Sequence, residues 1–283
     1  MNTTASTCSH GADGLDAVRC TKCLVLAGGF AKRLYPLTEC RAKALLEYRG
    51  EPALTHIANR IPLDVDIMVS TNCKFERDFI DWSATIDRPV ELLVEEARTD
   101  EQKMGAISSI HYWIERKGLN EDLLLVAGDN YFEFELEDFI GKFDGEHMMV
   151  AVHDVGDPSI LCEPGKPCHF GVAVLDGKKI ARFDEKPSIP VSSMVSTGIY
   201  MLPSRIYPLL SQYCAESQRD NLGSFIVHLL DIGEEVDAYA FPETWVDIGD
   251  EIAHSLNVGR AGDGGMSPLV ATASALGSLG GAA

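Results

Sequence analysis

The segment Lys22-Cys-Leu-Val-Leu-Ala-Gly-Gly-Phe-Ala-Lys-Arg-Leu-Tyr-Pro-Leu-Thr38 runs from an almost unbroken apolar stretch straight into a pair of glycines. A strand with one wet face alternates polar and apolar residues. This one does not, so it reads as a strand buried on both sides that ends in a glycine loop. Outward from it, residues 65–70, 89–94 and 122–127 repeat the short apolar pattern, and residues 52–60, 75–85 and 104–116 between them carry helical spacing. Such alternation predicts an α/β fold whose parallel sheet is flanked by helices. The second half changes character. Residues 148–155, 170–175, 179–184 and 195–202 read as strands between Gly, Pro and Asp turns. Helices follow at 204–214 and 222–232, then a strand at 236–241 and a last helix near 250–258. The expected sheet is mixed and mainly parallel, with a smaller β-rich part grafted on.

The chain carries 24 Lys+Arg against 43 Asp+Glu, a formal net charge of −19. A field of that sign repels a nucleic-acid backbone and argues against nucleic acid as a partner. No apolar run reaches the length of a membrane-spanning helix, and the first residues lack the basic-then-apolar pattern of a secretory signal. No membrane partner and a cytoplasmic location are expected, with the eight cysteines as thiols. Cys8, His10, Cys20 and Cys23 offer a zinc site as an alternative, weakened because Cys23 opens the first buried strand. Cys162, Cys168 and His169 flank a Pro-Gly-Lys-Pro turn without metal-site spacing and read as a hairpin loop. Residues 1–21 are expected as a flexible leader, 22–260 as the folded domain, and the Gly-, Ala- and Ser-rich residues 261–283 as a disordered tail. Homo-oligomerisation is left open.

The glycine loop lacks both the G-x-G-x-x-G of a dinucleotide fold and the G-K-[ST] of a Walker loop. It is followed instead by Lys32, Arg33, Arg41 and Lys43 in one short stretch. In so acidic a chain, neutralising a triphosphate is one reason for that concentration, since Arg grips phosphate oxygens in a fork and Lys acts as a point charge. A glycine turn with solvated cations is the other reading.

The stretch Leu26–Thr38, with Lys43 and Gly50-Glu-Pro-Ala-Leu54, resembles the sugar-phosphate nucleotidyltransferases. These include the glucose-1-phosphate thymidylyl- and uridylyltransferases and the mannose-1-phosphate guanylyltransferases. Further matching segments follow in order: Gly105-Ala106, Val126-Ala-Gly-Asp-Asn130, Phe170-Gly-Val172, Glu185-Lys-Pro187, Thr197-Gly-Ile-Tyr200 and Trp245-Val-Asp-Ile-Gly249. The resemblance spans residues 22–260 and implies a Rossmann-like sheet of the GT-A type with a sugar-binding β-rich part. It implies transfer of a nucleotidyl group from a nucleoside triphosphate to a sugar 1-phosphate with release of pyrophosphate. The leading pairing is dTTP or UTP with glucose 1-phosphate; guanylyl transfer to mannose 1-phosphate and cytidylyl transfer are alternatives. A non-catalytic sensor of nucleotide or sugar phosphate is the competing class.

Position by position, the resemblance places Leu26, Ala27, Gly28, Gly29 and Gly105 at the nucleoside. Arg33 would hold the leaving pyrophosphate, and Lys43 the phosphates at the reacting centre. Asp129 and Asp247 would share a Mg²⁺, with Asp129 counted among the catalytic residues. Gly171, Glu185, Lys186 and Thr197 would bind the sugar phosphate. Such chemistry needs no activated serine or cysteine. A phosphate monoester with a second pKa near ~6 is already a nucleophile, so alignment and charge neutralisation suffice. Asp247 also reads as a helix cap, and Trp245 as packing. The chain departs from the family pattern at Ala31 where many relatives carry glycine, at Ala42 where they carry proline, and at Ala106 where a threonine often follows Gly105. The charged stretch Glu95–Met104, the region that usually reads the base, matches no subtype.

Overall fold

The computed structural model describes residues 21–162, 165–216 and 221–252. Apart from Thr21, the expected leader lies outside them, as does the tail at 261–283. Strand β1 (Lys22–Leu26) leads through the glycine loop to a short hairpin, β2 (Glu47–Tyr48) and β3 (Glu51–Pro52). Helix α1 (Ala53–Arg60), β4 (Asp66–Asn72), α2 (Glu76–Ser83), β5 (Val90–Glu95), α3 (Ala106–Lys117) and β6 (Leu123–Ala127) complete the alternating half. Then come β7 (Asn130–Phe132), α4 (Leu136–Lys142), β8 (Met148–Asp154), β9 (Val172–Asp176), β10 (Lys179–Asp184) and β11 (Met194–Leu202). The described chain closes with α5 (Tyr207–Glu216), α6 (Leu222–Asp231), β12 (Val236–Phe241), β13 (Trp245–Asp247) and a terminal helix that begins at Ile248.

The main sheet has nine strands in the order β5-β4-β1-β6-β11-β8-β12-β10-β9. From β5 to β6 every pairing is parallel; beyond β6 the pairings are antiparallel except β8 with β12. The unbroken apolar runs have a direct cause. Cys23 and Val25 of β1 feed one core and Leu24 the other, and the same alternation divides Leu124 and Val126 from Leu123 and Leu125 on β6. Successive side chains point to opposite faces of a strand, so a strand buried on both faces must be apolar at every position. Helices α1, α2 and α4 cover the first face, and α3, α5 and α6 the second.

Strand β1 lies between β4 and β6, so the chain turns to opposite sides of β1 in succession. Such a reversal leaves a crevice beyond the carboxyl ends of the strands, where open α/β sheets bind their ligands. The glycine loop sits there. The terminal helix starts slightly ahead of the expected 250–258, whose remainder lies outside the described residues.

The expectation that every cysteine is a thiol is corrected: Cys162 and Cys168 form a disulfide, with their Cα atoms 4.3 Å apart. A 3-10 turn at Pro158–Leu161 and a hydrogen bond from the Cys168 amide to the Pro187 carbonyl, 2.8 Å, bring the two together. Cys23 is fully buried in β1, while Cys8, His10 and Cys20 of the zinc alternative lie outside the described residues.

Candidate active site

The glycine loop is held by side chains well away from it in sequence. Buried Asn72, at the end of β4, donates from Nδ2 to the Gly28 carbonyl at 2.9 Å, and buried Thr38 donates to the Ala31 carbonyl at 2.8 Å. Ala31 has φ 46°, the left-handed region that favours glycine, which accounts for the glycine seen in relatives. Ala42 keeps φ −63° and ψ 141°, the conformation a proline would impose, so the departure there leaves the backbone unchanged. It precedes the 3-10 turn Lys43–Leu45 that presents Lys43.

Two acids distant in sequence meet through strand register. β13 pairs antiparallel with β7, setting Asp247 opposite Asn130, and the Ile248 amide donates to the Asp129 carbonyl at 2.9 Å. Buried Trp245 locks the pairing by donating from Nε1 to Asn130 Oδ1 at 2.8 Å. A Cβ on Gly128 would lie 3.0 Å from the Leu26 carbonyl oxygen, so the glycine lets Asp129 ride close over β1. Lys43 Nζ donates to Asp129 Oδ2 and lies 3.3 Å from Asp247 Oδ1. Arg33 reaches Asp250 Oδ1 at 2.6 Å and Asp247 Oδ1 at 3.9 Å, and His169 Nδ1 shares a hydrogen bond with Asp250 Oδ2 at 2.8 Å. Asp247 Oδ1 also accepts the Asp250 amide at 3.0 Å, so the residue caps the terminal helix.

The charges are strongly coupled. Burial works against the ammonium of Lys43, but Asp129 and Asp247 more than offset it and raise its pKa. Burial, with Asp129 alongside, pushes Asp247 up to about 6. Asp129 resists its own burial because Lys43 holds its carboxyl below the ordinary range. Two carboxylates converging on an ammonium form a pair built around positive charge, and their oxygens are the donor type a hard divalent cation takes. A separate grouping of Asp144, His147 and Asp237 has metal-like spacing, but Lys178 and Lys179 already neutralise Asp237 at 3.0 and 2.7 Å.

Leu26, Gly28, Gly29, Gly105, Asp129 and Asp247 line a cavity of about 480 Å³, together with Gly171, Glu185, Lys186 and Thr197. Arg33 and Lys43 do not line it themselves; Lys43 pairs with Asp129 and Asp247, which do, and Arg33 lies 3.9 Å from Asp247. Ala27 differs from expectation: it is 7% exposed and packs into the core rather than lining the cavity, because side chains alternate along the strand it extends. The expected cation cluster also divides. Lys32 pairs with Glu101 at 2.6 Å and Asp100 at 3.6 Å, and Arg41 borders a different groove beside Asp78 and Asp81.

Sequence reading gave His169 and Asp250 no role in the site, and met Glu95 only as the first residue of the charged stretch 95–104. Glu95, 5% exposed at the end of β5, accepts at Oε1 from Ser70, 2.7 Å, and from Ser109. Within that stretch, what singles it out is a carboxylate closing an apolar strand. Glu185 sits further along the cavity, where burial raises its pKa against the opposing influence of Lys186. Lys186 itself has φ 48°, a strained backbone of the kind that gathers at functional sites.

No helix among the described residues is long and apolar enough to cross a membrane. A bifunctional GlmU protein of Methanocaldococcus jannaschii is 29% identical over 229 residues, covering 80% of this chain and 50% of the relative. The UTP–glucose-1-phosphate uridylyltransferase AglF of Haloferax volcanii is 26% identical over 247 residues, covering 80% of this chain and 90% of the relative. The chain thus spans half the length of the first relative and nearly all of the second. In fold it superposes on a UDP-glucose pyrophosphorylase solved with UDP-glucose, with TM-score 0.67 at 16% identity over 86% of this chain and 100% of the other. A sequence profile of the nucleotidyl transferases matches residues 22–254, through every element that builds the cavity, and the chain belongs to that family.

Proposed function

We propose that the protein transfers a nucleotidyl group from a nucleoside triphosphate to a sugar 1-phosphate, releasing pyrophosphate. The observation that carries this reading is the meeting of Arg33 and Lys43 with Asp129, Asp247 and Asp250 beside a cavity lined by Gly28, Gly29, Gly105, Glu185 and Lys186. The glycine loop leaves room for a nucleoside against β1. Lys43 and Arg33 hold and neutralise the triphosphate, Lys186 holds the phosphate of the sugar, and Glu185 accepts hydrogen bonds from sugar hydroxyls. The residues thereby align one phosphate oxygen with the α-phosphorus and stabilise charge on the departing pyrophosphate. Asp129 and Asp247 fit Mg²⁺, which when bound supplies charge neutralisation and orientation of phosphate oxygens. The test is pyrophosphate release across a panel of dTTP, UTP, GTP and CTP with glucose and mannose 1-phosphates. Release with at least one pair is expected. Tight binding of substrates without release from any pair would make the protein a sensor.

Glu95 bears on which base is taken. A Cβ on Gly28 would lie 3.7 Å from both of its carboxylate oxygens, so Glu95 faces the space a nucleobase would fill. A carboxylate only accepts hydrogen bonds. It suits the paired N–H donors of guanine or the amino group of cytosine better than uracil or thymine, whose single N–H lies between two carbonyls. This favours guanylyl or cytidylyl transfer over the dTTP or UTP pairing that the resemblance put first. Glu95→Gln, which adds a donor beside the acceptor, is expected to shift the kcat/KM ratio toward UTP or dTTP by about tenfold or more, since unmatched buried hydrogen-bonding groups dominate such discrimination. An unchanged ratio removes Glu95 from base selection.

A further inference from the structure

Given the reaction proposed above, on which this rests, the geometry points to Gly223 and Gly249 as positioning residues, each leaving a slot in a helix that a working side chain fills. A Cβ built on Gly223, in the first turn of α6, would lie 1.8 Å from Glu185 Oε2, 2.6 Å from its Cδ and 3.1 Å from the Phe183 ring. One on Gly249, in the first turn of the terminal helix, would lie 2.0 Å from both Cε and Nζ of Lys43 and 3.2 Å from the Arg33 guanidinium. Neither glycine lies at positive φ, so the backbone offers no reason for the choice. A helical position ordinarily favours alanine over glycine. What both positions have in common is that the absent methyl is replaced by the end of a side chain assigned to the reaction.

The obstructing atoms belong to flexible side chains. A methyl at Gly223 is relieved by swinging Glu185 aside, and one at Gly249 by displacing Lys43 from between Asp129 and Asp247. The fold therefore tolerates either substitution while the site does not, because a displacement of about 1 Å costs on the order of a hundredfold in rate. The two losses also differ in kind. Glu185 lies at the sugar end of the cavity and Lys43 among the acids at the phosphate end.

The test compares Gly223→Ala, Gly249→Ala and a control, Gly141→Ala, whose added methyl in α4 meets nothing within 4 Å. Unfolding temperatures within a few degrees of wild type are expected for all three. Gly223→Ala is expected to raise KM for the sugar 1-phosphate about tenfold or more with KM for the triphosphate little changed. Gly249→Ala is expected to lower kcat by about a hundredfold. If each glycine acts only through its partner, adding Gly223→Ala to Glu185→Ala, or Gly249→Ala to Lys43→Ala, costs nothing further. Kinetics like those of the control, or additive losses in the double variants, overturn the assignment. Wild-type protein inactive with every substrate pair would instead overturn the proposed reaction. In that event crystal structures of the two alanine variants decide the positioning roles, with displaced Glu185 and Lys43 expected and unmoved side chains refuting them.

Discussion

Lys43→Ala is expected to lower turnover by two to three orders of magnitude in a protein that still folds. The ammonium lies between Asp129 and Asp247, and both acids contribute to raising its pKa. In the proposed reaction it moves from the carboxylates onto phosphate oxygens as substrate enters. Losing such a preorganised charge in a part-buried site costs about a hundred- to a thousandfold in rate. The effect on metal should run the other way. Without the ammonium, the paired carboxylates keep only the Arg33 guanidinium, 3.9 Å from Asp247, as a nearby cation, so Mg²⁺ should stabilise the variant against heat at least as strongly as it does wild type. Steady-state kinetics with a Mg²⁺ titration of the melting temperature separate the two roles. A variant with near-normal kcat removes Lys43 from the reaction, and one that no longer responds to Mg²⁺ makes Lys43 a structural organiser of the acids.

Asp129→Asn is the second change expected to be severe. The amide keeps the volume and leaves the β7–β13 pairing, which is made by the Asp129 backbone and its neighbours, intact. It removes the negative charge that holds Lys43 and that, with Asp247, would bind the divalent ion. Turnover is expected to fall by about a hundred- to a thousandfold. Nucleotide affinity should fall no more than turnover does, because the glycine loop and the β5 end of the cavity are untouched. Near-normal rates in Mg²⁺ would falsify the metal assignment. The control is Asp154→Asn at the end of β8, whose carboxylate accepts the Gly156 amide at 2.9 Å and does not line the cavity.

The order of strands and helices through β6 was legible because each buried strand is an uninterrupted apolar run and each helix carries its own spacing. The short pieces were not. β7 and β13, three residues each, are too brief to show a period and exist only by pairing with one another. Those strands bring Asp129 to Asp247, so the least legible elements make the most consequential contact. Local density of charge was also a poor guide. Lys32 and Arg33 are adjacent in sequence, yet only Arg33 reaches the acids, because the 3-10 turn Lys32–Leu34 points the two in different directions.

By itself the sequence determined the doubly covered parallel sheet, the glycine loop at its edge and the family to which the ordered motifs belong. These are properties of contiguous residues, carried by periodicity and by short segments that keep their meaning wherever the chain goes. The tertiary structure alone decided which cations meet which acids, that Glu95 faces Gly28 with two serines on one of its oxygens, that Cys162 joins Cys168, and that Gly223 and Gly249 make room for Glu185 and Lys43. Each of these is a distance of a few ångströms between atoms on separate elements, set by strand register and by helices packing on a sheet, and no local pattern along the chain encodes it.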